Sequence, residues 1–403
     1  MKKKLLFVAP ILSRSGYGDH AREVAQFLIT QKKSFDIKIA GTPWGNNPQT
    51  GLADNADLEK ELSEFFITEN DKYDGCDVYI QLGLPSEFKT IGKFNIGITA
   101  GVETDKVGKT FIDGINRMDL VVVPSNFTKE TFENSSYEVN STESVKTTTP
   151  IKVVGEYADE CFYTEDNIPI EIKELSDIEE DFCFLFVGQS SPNDSENCRK
   201  NIKSLINSFI SAFDKAENKP ALILKTSGSN VSVSDYFATT KNIKKIKEEH
   251  PSKTQPNIYL LHGDFNSSEL SAIYKNTKVK AFVTHTRGEG FGRPILEASL
   301  CGLPILATKW SGHLDIMDKK NSVLLPGTLK SVGISNELFC ENSNWMEVDN
   351  QYSSDCMKKV YSEYDKYKQK AEKLKSINIA KFNKQTANEQ YSEILSEILN
   401  NNT

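Results

Sequence analysis

The chain has 403 residues, 38% of them hydrophobic and 10% aromatic, and a formal net charge of −8. This length and composition predict two or three domains with real cores and exclude wholesale disorder, while the acidic balance argues against a general polyanion-binding surface. Seven scattered cysteines without a C-x-x-C pair indicate neither a zinc site nor a disulfide framework. No apolar run approaches the roughly 20 residues of a membrane span, so the sequence predicts a cytoplasmic protein.

Short β-branched and aromatic runs alternate with amphipathic helical stretches along the chain. The first series of predicted strands comprises Lys4–Ala9, Phe35–Ala40, Asp77–Leu82, Phe94–Thr99, Leu120–Pro124 and Ile151–Val154. The second series comprises Phe182–Val187, Ala221–Lys225, Ile258–Leu261, Ala281–His285 and Pro304–Ala307. Helices are predicted over about 20–30, 202–213 and 387–399. Such alternation predicts an α/β protein in which two doubly wound domains face each other across a cleft.

The join between the two series is predicted in the polar, acidic and proline-containing segment 157–174. We predict an N-terminal Rossmann-like domain over 1–165, completed by the C-terminal helix at about 386–403. A second Rossmann-like domain is predicted over 166–385. The basic segment Lys241–Lys247 is interpreted as a solvated helix face in preference to a phosphate-binding patch.

A glycine-rich segment with two glutamates, GEGFGRPILEA, follows the predicted strand Ala281–His285. It lies at the carboxyl end of that strand, where open α/β sheets bind ligands, and Pro294 marks the first turn of a helix. The amides of a helix start suit a phosphate or pyrophosphate. Glu289 can accept hydrogen bonds from hydroxyl groups, and Glu297, one turn into the helix, can accept both hydroxyls of a ribose. The segment therefore predicts a sugar-nucleotide site.

These residues resemble a known family. Glu289-Gly-Phe-Gly-Arg-Pro-Ile-Leu-Glu297, with the following Gly-x-Pro and the downstream Ser311-Gly-His-Leu-Asp315, is similar to the E-x7-E region of GT4-type retaining glycosyltransferases. It looks like the subset that has an SGHLD segment after this motif. The resemblance covers most of the C-terminal half and, more weakly, the N-terminal half, and it implies the GT-B fold.

The resemblance implies roles for residues of the C-terminal half. Glu289 contacts hydroxyls of the donor sugar, Glu297 holds the ribose, and the backbone of Gly290, Phe291 and Gly292 contacts sugar and diphosphate. Arg199 and Lys200 resemble the family's basic position at the departing diphosphate, with Lys200 the better match. Gly188-Gln189 stands where many members have Gly-Arg, and Lys225, at a strand end, is the candidate for the missing cation.

In the N-terminal half, Ser15-Gly-Tyr-Gly18 resembles the family's glycine-rich loop under the donor phosphates, with Gly16 and Gly18 as its contacts. His20, just after it, is a candidate on the acceptor side. Many members also have a histidine after an N-domain strand, but Ile98–Asp105 contains none. Either Glu103 or Asp105 is a candidate to face the cleft in its place.

The resemblance implies a metal-independent, retaining glycosyltransferase that moves a hexosyl or pentosyl group from a nucleotide sugar to an acceptor hydroxyl. A UDP-sugar is the first choice of donor and a GDP-sugar the second, with no permanently bound cofactor. The acceptor is left open among glycan, lipid, protein and modified nucleobase. Three other readings also stay open: a noncatalytic nucleotide-sugar-binding protein or partner subunit, an epimerase or phosphorylase with a similar architecture, and a transferase acting on nucleic acid.

Overall fold

The computed structural model describes residues 2–68, 75–140, 143–164, 170–189, 198–228, 231–336 and 338–401. Packing divides the chain into two compact units. Unit 1 contains Met1–Tyr157, Val332–Ser343 and Phe382–Thr403, and unit 2 contains Ala158–Ser331 and Asn344–Lys381. The unit boundaries at residues 157 and 381 lie within ten residues of the predicted domain boundaries at 165 and 385. Residues 332–343, which we predicted within the second domain, pack in unit 1.

Unit 1 is built on a parallel sheet of six strands in the order β2-β1-β3-β4-β5-β8, within the described ranges. Its strands are β1 Lys3–Ala9, β2 Phe35–Gly41, β3 Cys76–Leu82, β4 Gly92–Ile98, β5 Leu120–Val123 and β8 Ile151–Val153, and a separate hairpin is formed by β6 Ser136–Glu138 and β7 Ser144–Lys146. The helices are α1 Gly16–Thr30, α2 Ala56–Ser63, α3 Lys109–Ile115 and α4 Asn126–Asn134. Helix α1 begins before the predicted residue 20 because the Ser15 side chain caps it, accepting a hydrogen bond from the Gly18 amide.

Unit 2 contains a second parallel sheet, in the order β11-β10-β9-β12-β13-β14. Its strands are β9 Cys183–Val187, β10 Ala221–Lys225, β11 Ile258–Leu261, β12 Val279–Val283, β13 Ile305–Thr308 and β14 Val323–Leu325, and β15 Gly327–Ser331 pairs with β16 Asn344–Val348 in an antiparallel hairpin. The helices are α5 Lys173–Ser176, α6 Ile202–Phe213, α7 Val233–Glu249, α8 Ser267–Tyr274, α9 Arg293–Leu300, α10 Asn350–Ser362 and α11 Tyr364–Lys381. The predicted α/β class with two Rossmann-like domains is confirmed.

The last helix, α12 Lys384–Asn401, packs in unit 1. Its apolar positions Ala387, Tyr391, Ile394, Leu395 and Ile398 join the core that covers one face of the sheet. Their helical spacing produces one continuous apolar stripe, so burial of that stripe stabilises the helix on the sheet. None of the helices in the described ranges has the length and hydropathy that a membrane crossing requires.

Strand β12 ends two residues before the end we predicted, at Val283 instead of His285. His285 is fully buried, and its ring nitrogens lie 2.8 Å from Ser204 Oγ and 2.7 Å from Ser353 Oγ. Both ring nitrogens of the buried His285 therefore have hydrogen-bond partners, although His285 lies outside the strand. The chain therefore leaves the sheet at Thr284 and starts the loop that carries Glu289.

Candidate active site

The strand order of unit 2 creates a topological switch point between β9 and β12. In a sheet of order 3-2-1-4-5-6, the chain connects outward in opposite directions from the two central strands, which leaves a crevice at their carboxyl ends. The loop after β9 carries Arg199 and Lys200, and the loop after β12 carries Glu289. Residues that are about 90 positions apart in sequence therefore meet at one point.

The Glu289 carboxylate is held by two cations and a hydroxyl. Lys200 Nζ lies 2.6 Å from Oε1, and Arg199 Nη1 lies 2.8 Å from Oε2. Thr286 Oγ1 donates to Oε1 at 2.7 Å, and Arg199 Nη1 also donates to the Gly288 carbonyl at 2.9 Å. Only 8% of Glu289 is exposed. The cluster is thus a largely buried carboxylate between two positive charges, with all three side chains fixed by short contacts.

Electrostatics keep Glu289 ionised in spite of its burial. Desolvation by itself would raise the pKa of this carboxyl, but the charges of Arg199 and Lys200 and the hydrogen bonds from Lys200 and Thr286 outweigh it. The pKa of Glu289 therefore lies well below its usual range. An ionised carboxylate accepts hydrogen bonds and donates none, which suits it to hydroxyl groups of a ligand.

Residues with positive φ support the Glu289 loop. Ser311 adopts φ +75°, a conformation that a residue with a Cβ rarely takes, and its Oγ accepts the Glu289 amide at 2.9 Å. The Gly312 amide donates to the Glu289 carbonyl at 2.9 Å. Gly292 has φ +101°, and a Cβ there would lie 2.9 Å from His313 Cβ. Strain of this kind persists where the surroundings over-determine the conformation, as at binding sites.

Glu297 lies in α9, which begins at Arg293 with Pro294 in its first turn and no side-chain cap. The Tyr274 hydroxyl is 3.1 Å from Glu297 Oε2. Burial first, and then the charge of Glu297, raise the pKa of Tyr274 well above its usual value, so the phenol stays protonated and can donate. Tyr274 thereby orients Glu297, which lies one turn into the helix.

Lys225 ends β10 and contacts Phe265 rather than Glu289, with Nζ 5.4 Å from the ring centroid. Burial lowers its pKa, and the nearby carboxylates of Asp264 and Glu297 oppose that effect. The carboxylates whose charges act on Lys225 are thus Asp264 and Glu297, whereas Glu289 pairs with Arg199 and Lys200. The role of Lys225 as a second cation at the diphosphate, beside Lys200, stays a prediction.

In unit 1, the glycine-rich turn meets the loop that follows β4. Gly16 is the exposed first residue of α1, while Gly18 is buried, and a Cβ at Gly18 would lie 1.9 Å from the Ser13 carbonyl oxygen. Tyr17, between them, stacks on Trp44 with centroids 3.8 Å apart. Its hydroxyl accepts the Ala100 amide at 3.0 Å. Glycine is therefore required at position 18 by the close approach of the backbone.

Two of the three acceptor-side candidates lie in the loop that Tyr17 joins. Glu103 and Asp105 follow Ala100 and are partly exposed. His20 is placed differently: it is buried, with Nε2 3.3 Å from the Tyr391 hydroxyl and Nδ1 3.8 Å from Glu156 Oε1. These contacts give His20 a packing role against α12.

In the described parts of the chain, no three His, Cys, Asp or Glu side chains are grouped so that they could hold a metal ion. Each of the seven cysteines carries a free thiol.

Residues 171–363 match the family of glycosyl transferases group 1. The chain is also similar to CapM of Staphylococcus aureus, a capsular polysaccharide biosynthesis glycosyltransferase, at 24% identity over 202 residues. That alignment covers 47% of this chain and 47% of CapM, so the chain spans about half the length of this relative.

Solved structures resemble the whole chain. Sucrose-phosphate synthase of Thermosynechococcus elongatus has a TM-score of 0.65 at 12% identity, and a glycosyltransferase of Rickettsia africae has 0.62 at 15%, each covering 99% of both chains. Anabaena HepE, solved with UDP and glucose, has a TM-score of 0.57 at 14% identity and covers 98% of this chain and 100% of its own. These similarities confirm the GT-B fold.

Some residues of the site escaped sequence reasoning. Thr286, Ser311 and Tyr274 each bond directly to Glu289 or Glu297. Ser311 stands in the SGHLD segment, which could have indicated it, whereas Tyr274 lies in a different helix with no motif of its own. Arg287, beside the glycine-rich segment, is buried and bonds to Glu347 on β16.

Proposed function

We propose that the protein is a metal-independent retaining glycosyltransferase, which moves a sugar from a UDP-sugar to an acceptor hydroxyl. The observation that supports this most directly is the pairing of the Glu289 side chain with both Arg199 and Lys200 at the switch point of unit 2. Two cations and one carboxylate leave a net positive charge at the place where α/β sheets bind ligands. Such a site suits a group with both phosphates and hydroxyls, as in a nucleotide sugar.

Each part of the donor has a matching group. The diphosphate lies against Arg199, Lys200 and the start of α9, whose amides and dipole favour an anion. Glu289 accepts hydrogen bonds from sugar hydroxyls, and Glu297, oriented by Tyr274, accepts those of the ribose. We place the backbone at 290–292 beside the sugar and diphosphate. Gly292 permits this turn because it adopts φ +101° where a Cβ would meet His313.

The reaction exchanges one bond at the anomeric carbon. The bond from this carbon to the diphosphate oxygen breaks, and a bond to the acceptor oxygen forms on the same face, while the acceptor proton passes to the leaving diphosphate. Arg199 and Lys200 stabilise the charge that develops on the leaving group, a preorganised electrostatic effect. The enzyme forms no covalent intermediate with the sugar. In unit 1, Glu103 or Asp105 is the proposed acceptor-side residue, and Gly16 and Gly18 stay predicted donor contacts.

We propose uridine as the nucleoside of the donor, and HepE, which has a similar fold and was solved with UDP and with UDP-glucose, supports this choice. A ligand that binds only the folded protein raises stability by about 2.7 kcal/mol at 100 times its Kd. We expect UDP, and neither GDP nor ADP, to raise the Tm of the wild type. Glu297→Gln removes the ribose-binding charge and should abolish the rise, while Glu248→Gln, an exposed control on α7, should keep it.

Catalysis is tested by turnover of UDP-glucose and UDP-N-acetylglucosamine with and without EDTA, using release of UDP as the readout. Release that depends on Lys200 and resists EDTA supports the proposal. UDP binding without turnover on any acceptor class would instead favour a noncatalytic nucleotide-sugar-binding subunit. A rise in Tm with GDP alone would change the donor but keep the site. A cytoplasmic location stays a prediction.

A further inference from the structure

A second, largely buried ion pair, Arg287–Glu347, contacts the segment that carries the two cations. Glu347, on β16, accepts Arg287 Nε at 2.8 Å and lies 2.7 Å from its Nη2, both through Oε2. Its other oxygen, Oε1, accepts the Asn201 side-chain amide at 3.0 Å. One carboxylate therefore joins the residue two places before Glu289 to the residue that follows Lys200.

The segment 198–201 is fastened to this pair at several points. Arg287 Nη1 donates to the Cys198 carbonyl at 3.0 Å, and the Arg287 amide donates to the Arg199 carbonyl at 2.8 Å. Asn201 has φ +51° and ψ +42°, a left-handed conformation that asparagine tolerates, and it starts α6. The backbone on both sides of Arg199 and Lys200 is thus set by Arg287 and Asn201, which share Glu347.

The other surroundings of Arg287 also fix it. Its guanidinium carbon lies 5.1 Å from the Trp345 ring centroid, and its carbonyl accepts the Met346 amide at 3.0 Å. Arg287 is only 7% exposed, so its charge needs a partner inside the protein. Glu347 supplies that charge from a hairpin, β15–β16, that the sequence motifs did not indicate.

We infer that Glu347 is a positioning residue for diphosphate binding: through Arg287 and Asn201 it holds Arg199 and Lys200 where they face Glu289 and the leaving group. This inference rests on the proposed function. Glu347 orients the two cations without touching the donor itself. Loss of an outer partner at a metal site typically weakens metal binding on the order of tenfold or more, and we expect a comparable effect on diphosphate binding here.

The test compares binding of UDP with binding of UMP, which differ only in the β-phosphate. UDP and UMP are titrated calorimetrically into wild type, Glu347→Ala, Glu347→Gln and the control Glu248→Gln. We expect Glu347→Ala to raise the Kd for UDP about tenfold and that for UMP far less, because UMP lacks the β-phosphate. Glu347→Gln, which can still accept the Asn201 amide, should lie between Glu347→Ala and the wild type. A variant that is only less stable would not change the UDP-to-UMP ratio.

A second variant guards against misfolding of Glu347→Ala. Asn201→Gly keeps the left-handed backbone and deletes only the amide that Glu347 accepts, so it should also reduce the preference for UDP. Unchanged ratios in all three variants, with UDP still bound by the wild type, overturn this inference alone. A wild type that binds neither UDP nor UMP overturns the proposed uridine donor and the inference together.

Discussion

Replacing Glu289 by glutamine tests the electrostatics of the site most directly. Glu289→Gln keeps the shape of the side chain and an oxygen that can accept from Thr286 or Lys200. It removes the negative charge that lies 2.6 Å from Lys200 Nζ and 2.8 Å from Arg199 Nη1. Two partly buried cations then lose their shared counter-ion, so the variant should be less stable than the wild type.

The size of the effect follows from burial. Breaking one partner of a buried ion pair costs about 3–5 kcal/mol, and the retained hydrogen bonds place this variant at the low end, about 3 kcal/mol. For a domain of the size of unit 2, roughly 1 kcal/mol shifts the Tm by 2–4 °C, so the expected fall is about 6–12 °C. UDP should reduce the difference in Tm between the wild type and Glu289→Gln, because its phosphate oxygens replace the lost negative charge.

The assay is thermal unfolding followed by circular dichroism, for wild type, Glu289→Gln and the exposed control Glu248→Gln, each with and without UDP. Transfer activity should be lost in Glu289→Gln, since an amide cannot accept at both positions, although UDP still binds. A Tm within about 2 °C of the wild type in the absence of UDP would refute the reasoning, because it would mean that the two cations need no internal partner.

Two further predictions concern buried groups around the site. Burial lowers the pKa of His285 from 6.5 to about 3. Between these two pH values, His285 is therefore protonated in the unfolded chain and neutral in the folded protein. Its contribution to stability is therefore present above pH 6.5 and is lost as the pH falls toward 3. Between pH 6.5 and 5 this amounts to roughly 2 kcal/mol, at about 1.4 kcal/mol per pH unit. Urea unfolding at pH 7 and pH 5 measures this loss of unfolding free energy. If His285→Gln lost as much stability between the two pH values as the wild type, the loss could not be attributed to His285. Gly292→Ala should lose about 1–3 kcal/mol, because position 292 has φ +101° and a Cβ there meets His313. Chemical denaturation measures the loss, with Gly83→Ala as the control because a Cβ at position 83 has room. Equal stability of the two variants would contradict the prediction.

Local signals in the sequence determined much of the fold. Alternating strand and helix patterns predicted eleven strands, and each has a counterpart in the structure, with ends that shift by a few residues. The predictions were accurate because strands buried on both faces are continuous apolar runs, which stand out locally. The hairpin β15–β16 and the helices α10 and α11 were not predicted. Leu329 and Lys330 on the hairpin are exposed, so this segment lacks a comparable apolar run.

The glycine-rich segment was equally visible in sequence, because a close backbone approach requires glycine wherever it occurs. The E-x7-E motif placed Glu289 and Glu297 on one loop and one helix, as the structure has them. Lys225 and His20 were harder to place, since a strand-end lysine or a histidine in a helix has the same local signature whether it faces a ligand or packs inside.

Tertiary structure alone decided which charges meet. Arg199 and Lys200 reach Glu289 because β9 and β12 are neighbours at the switch point, and strand order is a property of the whole sheet. Glu347 reaches Arg287 and Asn201 because a late hairpin folds back on two earlier loops. Such contacts join positions 60 to about 150 residues apart, and no local pattern encodes them. The sequence by itself thus determined the elements and the motif, and the packing of distant strands determined the electrostatics of the site.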